Sequence, residues 1–262
     1  MQLREINNQF ATESSHWYDR EGNPRYTIIG KNGRERPTTL RDARELGYYP
    51  SVSTILQLEA KPALTNWLIN QALMSALTLP RDPGESLTEF MARASRDSKE
   101  QAKKAAERGT YLHGLLEECV REGRLTNRAA PDADYIEPVL IWLNVKFVGY
   151  TWSVERSFAC VDGYGGKIDL HGYHPTLEPV VIDYKSKDFD DPDKKLAYDE
   201  HVTQLAAYGH GLGLGRFRAV NLFVSSTVPG LIVPIEWAWP EIVRGYVAFR
   251  SLLSLWKARK LK

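Results

Sequence analysis

The sequence predicts an α/β fold of the α+β kind, a mixed sheet flanked by helices and preceded by an amino-terminal helical region. Three observations predict it. Apolar residues recur at helical spacing through much of residues 38–147, and the period changes to two from residue 151. Three short β-prone runs, TWSVERSFACV, GGKIDLHGY and PVVIDYKS, then follow one another with only turn residues between them. After them, helical and extended patterns alternate to the end of the chain. Neighbouring strands flanked by helices require a mixed sheet rather than a purely parallel one.

Taken in order, HWYDREGNPRYTIIG (16–30) holds two β-prone runs around E-G-N-P, which predicts a hairpin. Residues 38–56 predict a short helix and then an extended entry to the next element. Pro62 opens a helix over 63–79, since proline suits a first helical turn, with Leu64, Trp67, Leu68, Leu73 and Leu77 near helical spacing. PRDPGES (80–86) breaks it. A long helix is predicted over 97–122, with Leu112, Leu115, Leu116, Cys119 and Val120 on one face and Gly123 as its C-cap. Another spans about 132–147, kinked by Pro138 or starting there. Beyond the three strands, 195–209 is helical and stops at Gly209, and 217–226 and 231–237 are strands. Pro240 begins an amphipathic helix with Ile242, Val243, Tyr246, Phe249, Leu252, Leu253 and Trp256 on one side. The division expected is an amino-terminal hairpin and helical region, 1–95, and a core, 96–262.

Composition narrows the classes. A 262-residue chain that is 43% hydrophobic and 26% charged has the makeup of a globular protein rather than a disordered one. A net charge of +1 is too small for a general DNA-coating protein, yet it permits one local basic channel. Cys119 and Cys160 have no CxxC spacing, which argues against a disulfide scaffold, a zinc site or an iron–sulfur cluster and suits a reducing compartment. MQLREINNQF (1–10) lacks the apolar stretch of a signal peptide, and nowhere do ~18 apolar residues run together, so no membrane partner is expected. No strand is followed by G-x-G-x-x-G, and G-x-x-x-x-G-K-[ST] is absent.

The chemistry gathers at PVVIDYKS. Alternation aims Asp183 and Lys185 at one face of a strand whose apolar start is buried. If GKIDLHGY pairs with it as a hairpin, positions summing to about 352 oppose each other, and Asp169 faces Asp183. Two carboxylates ~4.5–5.5 Å apart repel unless a cation lies between them. Such oxygens suit Mg²⁺ or Mn²⁺, and Lys185 can then reach a phosphate or a water. A divalent ion beside a lysine is equipment for phosphodiester hydrolysis. The bland alternative is a solvated strand edge. On the long helix His113 and Glu117 share a face. His113 is either a core-edge histidine or a nitrogen ligand, for which Mn²⁺ is the more tolerant ion. Gln204 and Tyr208 repeat the four-residue spacing on the following helix, either as a polar stripe or as supports for a phosphate.

Less weight falls elsewhere. The basic run Arg93–Arg108 reads as a solvated helical face rather than a phosphate track. DFDDPDKK (188–195) lacks the glycine of a calcium loop. Trp17, Tyr18, Tyr48 and Tyr49 read as packed aromatics before base-stacking ones.

Together, ERGTYLHGLLEE (107–118), GYGGKIDLHG (163–172), VIDYKS (181–186) and QLAAY (204–208) resemble, in order, the G-T-x-x-H-x-x-x-E, G-x-x-D, D-x-K and Q-x-x-x-Y motifs of the PD-(D/E)XK nucleases, RecB-like exonuclease branch. YPSVSTIL and KPALTNWL, within 49–68, resemble the leader region of mitochondrial genome maintenance exonucleases and similar phage proteins. The resemblance covers roughly residues 48–225. It implies a PD-(D/E)XK core in which Asp169, Asp183, the Tyr184 carbonyl and His113 bind Mg²⁺ or Mn²⁺. It further implies Lys185 as the catalytic lysine, Gln204 and Tyr208 in support, and Glu117 as the helix-borne acid, with Glu155 as a weaker alternative from the first strand. The cysteine quartet that holds an iron–sulfur cluster in some relatives is missing. The expected activity is a metal-dependent exonuclease on single-stranded DNA or DNA ends, in the cytoplasm of a bacterial or phage-infected cell. The alternatives are a non-catalytic DNA-binding or recombination module on the same fold, and a structure-specific endonuclease.

Overall fold

The structure, a computed structural model, describes residues 16–260, and the amino-terminal stretch 1–10 read above lies outside them. Strands β1 (Trp17–Tyr18), β2 (Thr27–Ile29) and β3 (Glu35–Pro37) lead to α1 (Leu40–Leu46), β4 (Tyr49–Pro50) and α2 (Val52–Leu56). Two long helices follow, α3 (Pro62–Thr78) and α4 (Leu87–Glu122), and then α5 (Ala133–Lys146). Next come β5 (Thr151–Cys160), β6 (Tyr164–Tyr173), β7 (Val180–Lys187), α6 (Asp199–Gly211), β8 (Arg218–Ser225), β9 (Ile232–Trp237) and α7 (Trp239–Lys260).

The α/β class holds. Strands β5 to β9 form one sheet in chain order, antiparallel except for the parallel pair β7 and β8, which α6 connects. One sheet face packs on α2, α6 and α7 through Ile168, Val181, Ala219, Leu205 and Phe249. The other packs on α4 and α5 through Leu170, Ile182, Leu222, Leu116 and Ile136. A strand buried on both faces explains the unbroken apolar run at the start of β7.

Several expectations need correction. The two runs around E-G-N-P do not pair as strands of one hairpin: β1 pairs with β4 and β2 with β3, and the flanks meet in a tight loop through the Tyr18–Pro24 bridge and the bonds from the Arg25 N–H to Trp17 and the Asp19 N–H to Asn23. The Asp19 carboxylate accepts from the Asn23 N–H and from Arg25, which folds that loop onto itself. The hairpin turns instead at K-N-G-R, where Gly33 takes φ +71°. Helix α4 begins ten residues before the predicted 97, because Ser86 and Glu89 form a capping box. It ends at Gly123, as predicted, in a left-handed cap. Pro138 lies inside α5 rather than at its start. Lacking an N–H, it frees the Asp134 carbonyl, which accepts instead from the Gly230 N–H at 2.8 Å. Helix α6 runs through Gly209 to Gly211. A division at 95/96 would cut α4, and Trp17, Val52, Ile55 and Leu56 share a core with the sheet.

Among the described residues no helix is long and apolar enough to cross a membrane. Cys119 and Cys160 are buried in the two different cores.

Candidate functional site

The site forms where β6 and β7 part. Their ladder keeps the expected sum, Gly172↔Val180, His171↔Val181 and Leu170↔Ile182, and ends there, one step short of Asp169 and Asp183. In that fork the Asp169 carboxylate accepts from the Tyr184 N–H at 2.8 Å, replacing a ladder bond. The Tyr184 N–H thus meets the Asp169 carboxylate.

On the other side of β6 the ladder with β5 skips one step, between Val154↔Leu170 and Arg156↔Ile168. Glu155, at the skipped step, has φ +54°, alone among the described non-glycine residues in the left-handed region. Ile168 and Phe158 belong to the core under α6, whereas Leu170 and Val154 pack on the core under α4. Even-numbered residues thus change sheet faces at this step, which strict alternation forbids. The strained residue turns its carboxylate into the cleft.

Helix α4 crosses the fork and supplies His113, whose Nε2 lies 3.0 Å from Asp169 Oδ2 and whose ring meets Tyr184 edge-on. One donor atom each from His113, Glu155 and Asp169 falls within 4.8 Å of the others. Trans ligands of an octahedral ion with ~2.1 Å bonds lie about 4.2 Å apart, so two carboxylates and an imidazole at this spacing fit a divalent ion. Asp183 is not in this group. Its carboxylate receives Lys185 Nζ at 3.0 Å and Asn221 Nδ2 at 2.9 Å. Glu117 lines the same cleft, but its carboxylate is paired with Arg121 one turn further along α4.

Helix α6 completes a relay. Lys185 Nζ donates to Gln204 Oε1 at 3.2 Å, and Gln204 Nε2 donates to Tyr208 Oη at 2.9 Å. Gln204 and Tyr208, read either as a polar stripe or as supports, are thus joined to Lys185 by hydrogen bonds. All of these groups except Asn221 and Arg121 line one cleft of about 670 Å³.

Two participants escaped the sequence reading. Asn221 is fully buried and links Asp183 to the Trp237 indole N–H, which donates to Asn221 Oδ1 at 2.8 Å. A lone carboxamide in the apolar run AVNLFV was the available signal. Lys167, two residues before Asp169, is ion-paired with Glu155 at the cleft wall. Among the aromatics considered for stacking, Trp17 and Tyr18 are buried. Of the basic run on α4, Arg93 pairs with Glu85 and Arg108 with Asp132.

The electrostatics separate the two aspartates. Burial pushes Asp183 up to about 6, aided by the negative charge of Asp169 and opposed by Lys185. Burial raises Asp169 as well, but the adjacent His113 charge, its hydrogen bond and Lys185 outweigh that and hold it below the ordinary range. The Asp169 charge in turn raises the His113 imidazole against the effect of burial.

No family model matches the chain, and no curated protein matches it. Among solved structures, a chain described as the crystal structure of SSO0001 is similar at 17% identity and a TM-score of 0.27. The match covers 72% of this chain and 86% of that one.

Proposed function

We propose that this protein is a Mg²⁺- or Mn²⁺-dependent deoxyribonuclease with a PD-(D/E)XK core, acting as an exonuclease on single-stranded DNA or DNA ends. The observation that carries the reading is a single cleft holding two neighbouring groups: the His113–Glu155–Asp169 donors and the Asp183–Lys185–Gln204–Tyr208 chain. The motif order that resembles the nuclease family supports it independently.

Asp169, His113 and Glu155 would hold the ion, with Asp183 beside them. A divalent ion bound there supplies Lewis-acid polarisation of a phosphoryl oxygen and lowers the pKa of a bound water. The protein's own groups do the rest. Lys185 presents an ammonium at the cleft surface, positioned by Asp183 from its own strand and by Gln204 from α6. A cation so fixed can hold an attacking water or balance charge growing on a phosphate. Tyr208 orients the Gln204 amide so that its oxygen faces Lys185. Asn221 holds one Asp183 oxygen and leaves the carboxylate little rotational freedom.

The test is digestion of end-labelled linear and circular DNA, single- and double-stranded, with Mg²⁺, Mn²⁺ or EDTA. The expected result is loss of single-stranded linear substrate that needs the metal and vanishes in Asp183→Asn and Lys185→Ala, both still folded by circular dichroism. Wild-type rates in both variants would refute the site. Cleavage of circles would replace the exonuclease reading with an endonuclease, and DNA binding without cleavage under any metal would leave a binding module.

A further inference from the structure

Each arm of the fork brings a lysine two residues from its aspartate, Lys167 before Asp169 on β6 and Lys185 after Asp183 on β7. Both lysines line the cleft, and among the described residues no arginine does. Each is held there by a carboxylate. Lys185 bonds Asp183 and Gln204, and Lys167 is ion-paired with Glu155. The two carboxylates differ in what else they face. Asp183 stands outside the group of donors within 4.8 Å of one another, whereas Glu155 is one of its three members. Lys167 thus draws on a carboxylate that the donor group also needs.

The ion pair alone is a poor reason for the backbone at Glu155. A non-glycine residue at φ +54° is strained, and a pair whose lysine is 40% exposed returns little stability. A ligand role gives the strain a purpose, with Lys167 as the cation that neutralises Glu155 until that role begins. A lysine suits such a changing partnership. Its compact ammonium carries three rotatable donors on a flexible stem, where the rigid fork of an arginine would grip the carboxylate through two bonds.

We propose that Lys167 is a substrate-binding lysine that exchanges partners. It neutralises Glu155 while the donor group holds no cation, and it grips a backbone phosphate of the DNA once Glu155 serves a divalent cation. The ammonium gives up Glu155 because two positive charges drawing on one carboxylate oppose each other. The phosphodiester is then the anion within its reach. The inference rests on the deoxyribonuclease reading of the cleft and adds an order to it, cation first and strand second. Lys185, tied by Asp183 and Gln204, is the fixed cation of the other arm, so the strand passes between a fixed lysine and an exchanging one.

Fluorescence anisotropy decides the matter, with a phosphorothioate oligothymidylate that keeps the backbone charge and resists cleavage. Binding is measured over a salt series in Mn²⁺ and in EDTA. In Mn²⁺, Lys167→Met should bind about 10-fold more weakly than the wild type, with a salt slope smaller by about 0.7. Lys167→Arg, which keeps the charge, should restore the slope. In EDTA the wild type and Lys167→Met should bind alike. Without DNA, calorimetry should show Lys167→Met taking Mn²⁺ more tightly than the wild type. One substitution then moves two affinities in opposite directions, which loss of folding does not do. A loss of DNA affinity equal in Mn²⁺ and EDTA would overturn the exchange. Equal binding by wild type and Lys167→Met in Mn²⁺ would overturn the inference and leave the deoxyribonuclease reading standing. A wild type that binds no oligomer in Mn²⁺ would overturn both.

Discussion

Asp169 and Asp183 stand one step past the same ladder, yet their neighbours separate them. His113 and the Tyr184 N–H stabilise the charge on Asp169, while Asp183 is deeper and relies on Lys185 and Asn221. Cation binding needs deprotonated ligands. Mn²⁺ affinity measured by calorimetry should therefore rise between pH 5 and 7.5, as Asp183 and the raised His113 imidazole both lose protons, and the rise should shrink in Asp183→Asn; an unchanged profile in that variant would show that Asp183 does not bear on the ion. The Glu155–Lys167 pair predicts opposite signs. Glu155→Gln should weaken Mn²⁺ binding at least ~10-fold, and Lys167→Met should strengthen it by removing a competing cation; equal effects would rule out Glu155 as a ligand. His201 yields a stability prediction. Burial, with Lys185 and Lys187 nearby, lowers it to about 3, so it folds neutral. The unfolded chain takes up a proton below pH ~6.5. The contribution is thus complete above that pH and is lost as pH falls toward 3, by up to about 1.4 kcal/mol per pH unit. His201→Gln, which keeps an acceptor for the Tyr198 N–H, should flatten that part of the slope in urea melts. The residues Asp169, Asp183, Lys185, His113 and Gln204 were legible because each falls in a spaced motif. Glu155 was legible only as a weaker alternative to Glu117, and Asn221 and Lys167 were not legible, since each acts through a neighbour distant in sequence.

At the scale of elements, caps and periods were the readable part. Gly123, Pro62 and the period change at 151 mark real boundaries, because a left-handed cap, a fixed φ and a two-residue repeat are local properties. The early start of α4 was readable too, as the S-x-x-E of Ser86 and Glu89. Gly209 misled because its role is packing. A Cβ there would fall 2.0 Å from the Phe217 ring, so the helix continues and the glycine admits the ring. Ala at a helix interior usually gains about 1 kcal/mol over Gly. Gly209→Ala should instead destabilise by roughly 1–3 kcal/mol through overpacking, read as a lowered urea midpoint with unchanged slope. A stabilised variant would mean that the helix, and not the ring, decides this position.

For the whole molecule, the two helical layers and the mixed sheet place α4 over one face and α6 over the other, and the cleft opens where both reach the fork. By itself the sequence determined the α/β class, the strands of the sheet, the register of β6 on β7 and the motif residues, since all of these follow from local periodicity and turn chemistry. Only the tertiary structure decided that β5 and β6 exchange faces at Glu155, that Asn221 braces Asp183, and that the apolar residues of α3 face outward. Periodicity records that a side chain is apolar or polar. Which surface it meets, and whether a residue is held at a strained φ, depends on the packing of elements far apart in the chain.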